Sequence, residues 1–133
     1  MVLVDTNVLI DVFQADPQWK EWSLRQLRQQ AQLHELVINP VIYAELALAF
    51  ADIDELDQAV DKMELEVLAL SRPALFLAGK AFAKYRGRGG KRPSVLADFF
   101  IGAQAAVLRC PVLTRDVARY KSYFPGVELI TPK

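Results

Sequence analysis

Short apolar runs alternate along the chain with longer stretches in which apolar residues recur every three or four positions. "VLVD" at the N-terminus is short, apolar and β-branched, as a buried strand should be. "TNVLIDVFQ" continues as a short helix. Asp16-Pro17 has the chemistry of a helix start, with Pro17 at the first helical position. The helix predicted through "QWKEWSLRQLRQQAQ" turns Trp19, Trp22 and Leu27 towards the core. "LVIN" is a second strand, and Asn39-Pro40 opens the helix "VIYAELALAF". Asp54 is the expected cap of "ELDQAVDKME", and "EVLALS" is a third strand. Pro73 opens "ALFLAGKAFAKYR", and Ser94 is the expected cap of "VLADFFIGAQAAVLR". "PVLT" is a fourth strand, "RDVARYKSY" a short helix and "VELIT" a final strand.

This end-to-end alternation predicts an α/β fold, a parallel sheet with helices on both faces. Such sheets bind ligands beyond the carboxyl ends of their strands, near the point where strand order reverses. Asp5 ends the first predicted strand and Asp116 follows the fourth by two residues, so both are expected on that edge.

The 133 residues, 53% of them hydrophobic, suit one domain spanning 1–133 with one core. No apolar run approaches the ~20 residues that span a bilayer, and no secretory leader is expected ahead of a strand that starts at residue 2. The single cysteine, Cys110, excludes an internal disulfide and a cysteine-based zinc site. A cytoplasmic location is expected. Lysine plus arginine equals aspartate plus glutamate, 16 each, so net charge points to no partner. The distribution is uneven, however. Residues 52–66 hold seven acids, as a solvated helix face would, and residues 80–92 hold six basic residues around a flexible "RGRGG". That loop could hold phosphate, although a solvated loop has the same composition.

The carboxylates are more informative. Glu45 is the only charge in "LVINPVIYAELALAFA", and Asp98 is the only charge in "PSVLADFFIGAQAAVL". With Asp5, three acids stand singly in apolar stretches without a local cation. An isolated buried carboxylate must be paired, hydrogen-bonded, metal-bound or neutralised. Each acid has a structural explanation of its own. Asp5 could cap a helix, and Asp98 could sit favourably in a first helical turn. Asp116 could cap "VARYKSY" with Arg115 offsetting its charge, and Glu45 could face solvent. Convergence around a divalent cation accounts for all four together. Carboxylate oxygens and waters suit Mg²⁺ or Mn²⁺ rather than zinc, and His34 is expected at the surface. Such ions activate water for in-line phosphoryl displacement.

"VDTNVLID", "NPVIYAEL", "RPSVLADFFIGAQAA" and "PVLTRD" together resemble the PIN-domain proteins, and more narrowly the VapC toxins of bacterial toxin–antitoxin pairs. A looser match continues through "ARYKSYFPGVELITP". The resemblance implies a three-layer α/β/α sandwich around a mostly parallel sheet, and Mg²⁺- or Mn²⁺-dependent cleavage of RNA. It also implies homodimers and an antitoxin whose tail crosses the active site. It places the acidic metal site on Asp5, Glu45, Asp98 and Asp116, with Asn7 and Thr114 in support. Thr114 is expected to orient Asp116 or a bound water. Asp11, two turns along the first helix, is expected to point elsewhere. Arg86, Arg88, Lys91 and Arg92 are candidates for positioning RNA phosphates. Trp19, Trp22, Tyr43, Phe99 and Phe100 read as packing, and Cys110 as a small buried residue.

Two other classes fit less well. A haloacid-dehalogenase-type phosphotransferase needs an aspartate where this chain has Asn7, and a response-regulator receiver needs paired acids near the first strand. The alternative with more support is a PIN-like module that grips RNA or a partner without cutting.

Overall fold

The apolar run at the N-terminus becomes the centre of the sheet. In the computed structural model, which describes residues 1–92 and 96–132, Val2–Val4 form strand β1, with all three side chains buried. Strand β2 (Leu36–Ile38) pairs on one side of β1 and β4 (Val112–Leu113) on the other, all parallel. β3 (Glu66–Val67) and β5 (Leu129–Ile130) complete the order β3-β2-β1-β4-β5. A parallel strand in mid-sheet is covered on both faces, which is why β1, β2 and β4 read as unbroken apolar runs.

Among the described residues, seven helices connect the strands: α1 (Thr6–Phe13), α2 (Lys20–Leu33), α3 (Pro40–Leu46), α4 (Ile53–Lys62), α5 (Arg72–Gly87), α6 (Leu96–Leu108) and α7 (Ala118–Tyr123). The chain moves outward from β1 through α1 and α2 to β2, then through α3 and α4 to β3. It returns across the sheet through α5 and α6 to β4, and passes through α7 to β5. Right-handed crossovers place these two helix groups on opposite faces, and α1 packs on α2 and α3 while α6 packs on α5 and α7. The expected three-layer α/β/α architecture is therefore present, with a sheet that is wholly parallel. The direction of travel reverses between β1 and β4, so their carboxyl ends form the switch point.

Several predicted boundaries move for local reasons. Asp16 Oδ1 accepts the N–H groups of Gln18 and Trp19 at 2.9 Å each, which holds residues 17–19 in a turn, and α2 starts only at Lys20. Asp52, not Asp54, caps α4, accepting the Glu55 N–H at 2.9 Å, while Glu55 reaches back to the Ala51 N–H. Ser71 caps α5 ahead of Pro73. The third strand keeps only two residues of "EVLALS", because it lies at the sheet edge with Glu66 and Val67 exposed. Helix α3 tightens into a 3₁₀ turn at Ala47–Ala49. The expected Ser94 cap lies outside the described residues. Leu27 is in the core and Trp22 packs against it. Trp19 does not, and sits half-buried with the Arg115 guanidinium 5.0 Å from its ring centroid.

Gly102 lets α6 approach the segment after α7, since a β-carbon there would lie 2.3 Å from the buried Phe124 ring. Gly102→Ala should therefore lower the unfolding free energy by about 1–3 kcal/mol through overpacking. The urea midpoint at unchanged slope is the measurement that checks it.

Candidate active site

Asp5 follows β1 directly. It occupies the N-cap position of α1, yet its side chain caps nothing. Its Oδ2 instead collects three hydrogen bonds, from Thr114 Oγ1 (2.8 Å), Tyr120 OH (2.8 Å) and, more weakly, Asn7 Nδ2 (3.4 Å). Oδ1 accepts none among the described residues. The carboxylate is thus gripped by one oxygen and presents the other at a nearly sealed position, with only 4% of the residue exposed. Burial pushes its pKa up to about 6, helped by the charges of Asp98 and, less, Glu45; the Thr114 and Tyr120 hydroxyls pull it back.

Thr114, just past β4, holds the two strand ends together. Its hydroxyl donates to Asp5 and accepts the Asp116 N–H at 3.0 Å. It therefore orients the Asp5 carboxylate and the Asp116 backbone, rather than the Asp116 side chain. Asn7 makes a second tie, its Nδ2 reaching Thr114 Oγ1 at 3.3 Å and its Oδ1 accepting the Arg115 N–H at 3.2 Å. Asp116 itself is exposed, and its side chain caps nothing, because α7 has no side-chain cap.

Arg115 does not offset Asp116. It forms a forked ion pair with buried Asp11, at 2.6 and 2.8 Å, and Ser23 donates to the same carboxylate at 2.7 Å. Asp11 points away from the other acids, as expected, and spends its charge in tying α1 to α2 and to the loop after β4.

Glu45 is half-buried on α3, and its Oε1 accepts from Thr6 at 2.7 Å. Asn39, at the end of β2, caps α3 and also donates to Gln104 of α6 at 3.0 Å. This buried pair links the helix carrying Glu45 to the helix carrying Asp98. Asp98 lies in the first turn of α6, half-buried, with Oδ2 accepting from Arg119 at 2.8 Å. Burial nevertheless raises its pKa more than Arg119 lowers it, with Asp116 and Glu45 adding to the rise.

The charges of Asp98 and Glu45 thus act on Asp5, and those of Asp116 and Glu45 act on Asp98, so the four acids share one neighbourhood. Among the described residues, no three acids or other ligating side chains are drawn into a ready-made metal cage. The donor chemistry nonetheless fits a hard divalent cation: four carboxylates, no sulfur or imidazole, and, among the described residues, one oxygen each of Asp5, Glu45 and Asp98 without a hydrogen bond. His34 is exposed and distant from this edge in the fold, before β2. Thr6, Arg119 and Tyr120 were not expected at the site. Nothing in the local sequence marks them, because they act across chain separations of 21 to 115 residues.

The basic segment borders the site through aromatic rings. Arg88 lies 5.2 Å from the Tyr123 ring centroid, and Tyr85 packs against both Phe99 and Tyr123 while its hydroxyl accepts the Arg92 N–H. Arg86, Arg88, Lys91 and Arg92 are all exposed there. A separate cleft bounded by Arg109, Cys110, Pro111 and Glu128 lies at the opposite, amino edge of the sheet. Among the described residues, no helix is long and apolar enough to cross a membrane.

The family model described as PIN domain matches residues 2–122. No curated protein matches the chain. Solved structures share its fold. One is the VapBC2 complex of Rickettsia felis bound to a DNA fragment from their promoter, at 17% identity and TM-score 0.75, covering all of both chains. Another is VapBC-1 of nontypeable Haemophilus influenzae, at 18% identity and TM-score 0.73, covering 98% of each chain. A third is FitAcB of Neisseria gonorrhoeae, at 20% identity and TM-score 0.67, covering 98% of this chain and 96% of that one.

The elevated Asp5 pKa has a consequence for the metal-free protein. A carboxyl that binds its proton more tightly when folded stabilises the fold fully below its unfolded value of 3.8. That contribution is lost as pH rises through about 6. Asp5→Asn keeps an acceptor for Thr114 and Tyr120 but cannot ionise. In chelator, the stability of the variant relative to wild type should rise as pH is raised through this window. Urea unfolding at several pH values checks this, and a constant difference would contradict the burial argument.

Proposed function

Because the chain belongs to the PIN domain family, we propose that it is a divalent-metal-dependent endoribonuclease and the toxin of a toxin–antitoxin pair. One observation carries the catalytic part. Asp5 is anchored through Oδ2 at the switch point of the sheet while Oδ1 is left to the acidic cluster. A cap or a simple salt bridge would not need that arrangement.

Asp5, Asp98 and Asp116 would hold Mg²⁺ or Mn²⁺, with Glu45 assisting directly or through water. When bound, the ion supplies activation of a water and charge stabilisation at the oxygen that departs from phosphorus. Thr114, Tyr120 and Asn7 keep the Asp5 carboxylate from rotating. Thr6 does the same for Glu45, and the Asn39–Gln104 pair sets the spacing of α3 and α6. Arg86, Arg88, Lys91 and Arg92 would bind phosphates along the RNA, which orients the strand without reading its sequence.

The likeness to toxin–antitoxin complexes along almost the whole chain supports a cognate antitoxin as partner. The same reading includes one PIN domain over residues 1–133, a homodimer and a cytoplasmic location. A second reading, a PIN-like module that binds RNA or a partner without cutting, is favoured only by the absence of a preassembled cage among the described residues.

Incubating the protein with structured RNAs should give cleavage in Mg²⁺ or Mn²⁺ and none in chelator. Asp5→Asn should lower the rate by about 100-fold or more, the scale of losing a preorganised charge-stabilising group. Cleavage that survives chelation, or full activity in the variant, would overturn the metal-nuclease reading.

A further inference from the structure

Two arginines flank Asp116, and the structure treats them differently. Arg115 is locked, with a forked pair to a carboxylate that is 2% exposed and its guanidinium against Trp19. Arg119 is not. It makes one hydrogen bond, from NH1 to Asp98 Oδ2 at 2.8 Å, and both side chains are about a quarter exposed (22% and 25%). The remaining N–H groups of its guanidinium have no acceptor among the described residues. Its other contact is the Tyr85 ring, 5.7 Å from the guanidinium carbon. An aromatic face attracts a cation without fixing its rotation, so this is a support on which the guanidinium can swing.

Arg119 is also the sole cation with an ion pair to the acidic quartet among the described residues. It sits on an oxygen of Asp98 that a divalent ion would contest, and its Tyr85 seat packs against Tyr123, which carries Arg88, and accepts the Arg92 N–H. We propose that Arg119 is a built-in stand-in cation: it neutralises Asp98 until the divalent ion binds, is displaced by it, and then takes a phosphate of the RNA from its seat on Tyr85. Metal and RNA binding are thereby coupled through one side chain. The inference rests on the metal-nuclease reading and concerns the order in which that site is filled.

A single-donor arginine pair that is partly exposed is weak, so its displacement carries a small penalty. A forked pair such as Arg115–Asp11 could not be exchanged so cheaply. The guanidinium suits the second role because its planar fork matches phosphate oxygens, which a lysine ammonium matches less well.

The test is calorimetric titration of the full chain with Mn²⁺ alone, beside Arg119→Gln and Arg119→Lys. Arg119→Gln should bind Mn²⁺ about three- to ten-fold tighter, since a competing charge is removed, with Arg119→Lys in between. A short labelled 2′-O-methyl RNA is then titrated with and without Mn²⁺. Wild type should bind it more tightly with Mn²⁺, and Arg119→Gln should lose that gain together with roughly 0.7 of the salt slope, one phosphate contact on a single strand. Weaker or unchanged Mn²⁺ affinity in Arg119→Gln overturns the proposal, weaker affinity meaning that Arg119 holds Asp98 in its ligating orientation. Asp5→Asn separates the two readings. If it abolishes Mn²⁺ binding that wild type shows, the metal site stands however the Arg119 variants behave, whereas a wild type that does not bind Mn²⁺ overturns both.

Discussion

A carboxylate buried at the end of the central strand imposes terms on everything around it. Asp5 is almost sealed from water, so its charge must be hydrogen-bonded, paired or given up. The fold supplies Thr114 from beyond β4, Tyr120 from α7 and Asn7 from α1, all to the same oxygen. Asn7 is local, but Thr114 and Tyr120 come from elements that only the sheet order brings to Asp5, because β4 lies beside β1 although 109 residues separate Asp5 from Thr114. The parallel pairing of β1 with β4 is thus as much a part of the site as the acids are.

The second constraint is mutual repulsion. Asp98 and Glu45 approach from helices, Asp116 from the loop after β4, and none of them neutralises another. Structural cations nearby are already committed: Arg115 is spent on Asp11, where it clamps α1, α2 and the post-β4 loop. Among the described residues, Arg119 is the one cation paired with the cluster, through a single hydrogen bond to Asp98. On the proposed reading, a small, hard cation would relieve the repulsion that remains. The pKa values of Asp5 and Asp98 are raised chiefly by burial, and the charges of neighbouring acids add to the rise.

Much of this was legible along the chain. The unbroken apolar runs at 2–4, 36–38 and 112–113 marked the covered strands, and the lone acids in apolar stretches marked the candidate site. Boundaries were less legible wherever two residues could do the same job. Asp52 and Asp54 are both good caps, and the choice fell to Asp52 because Glu55 can close the loop back onto Ala51. The pairing of Arg115 was misread for a related reason. Adjacency to Asp116 is visible in sequence, but a buried carboxylate at Asp11 competes more strongly for a forked guanidinium than an exposed neighbour does.

By itself the sequence determined the fold class and singled out four acids as candidates, because burial periodicity and uncompensated charge are local properties that a linear reading can count. Only the tertiary structure decided which oxygen of each acid is held and which is left open. It also decided that Tyr120 bonds Asp5 and Thr6 bonds Glu45, and that one arginine is held by a forked pair while the next, four residues on, is held by a single hydrogen bond. Those outcomes depend on distances between strand ends and helix faces, and the parallel sheet sets such distances through contacts far apart in the chain.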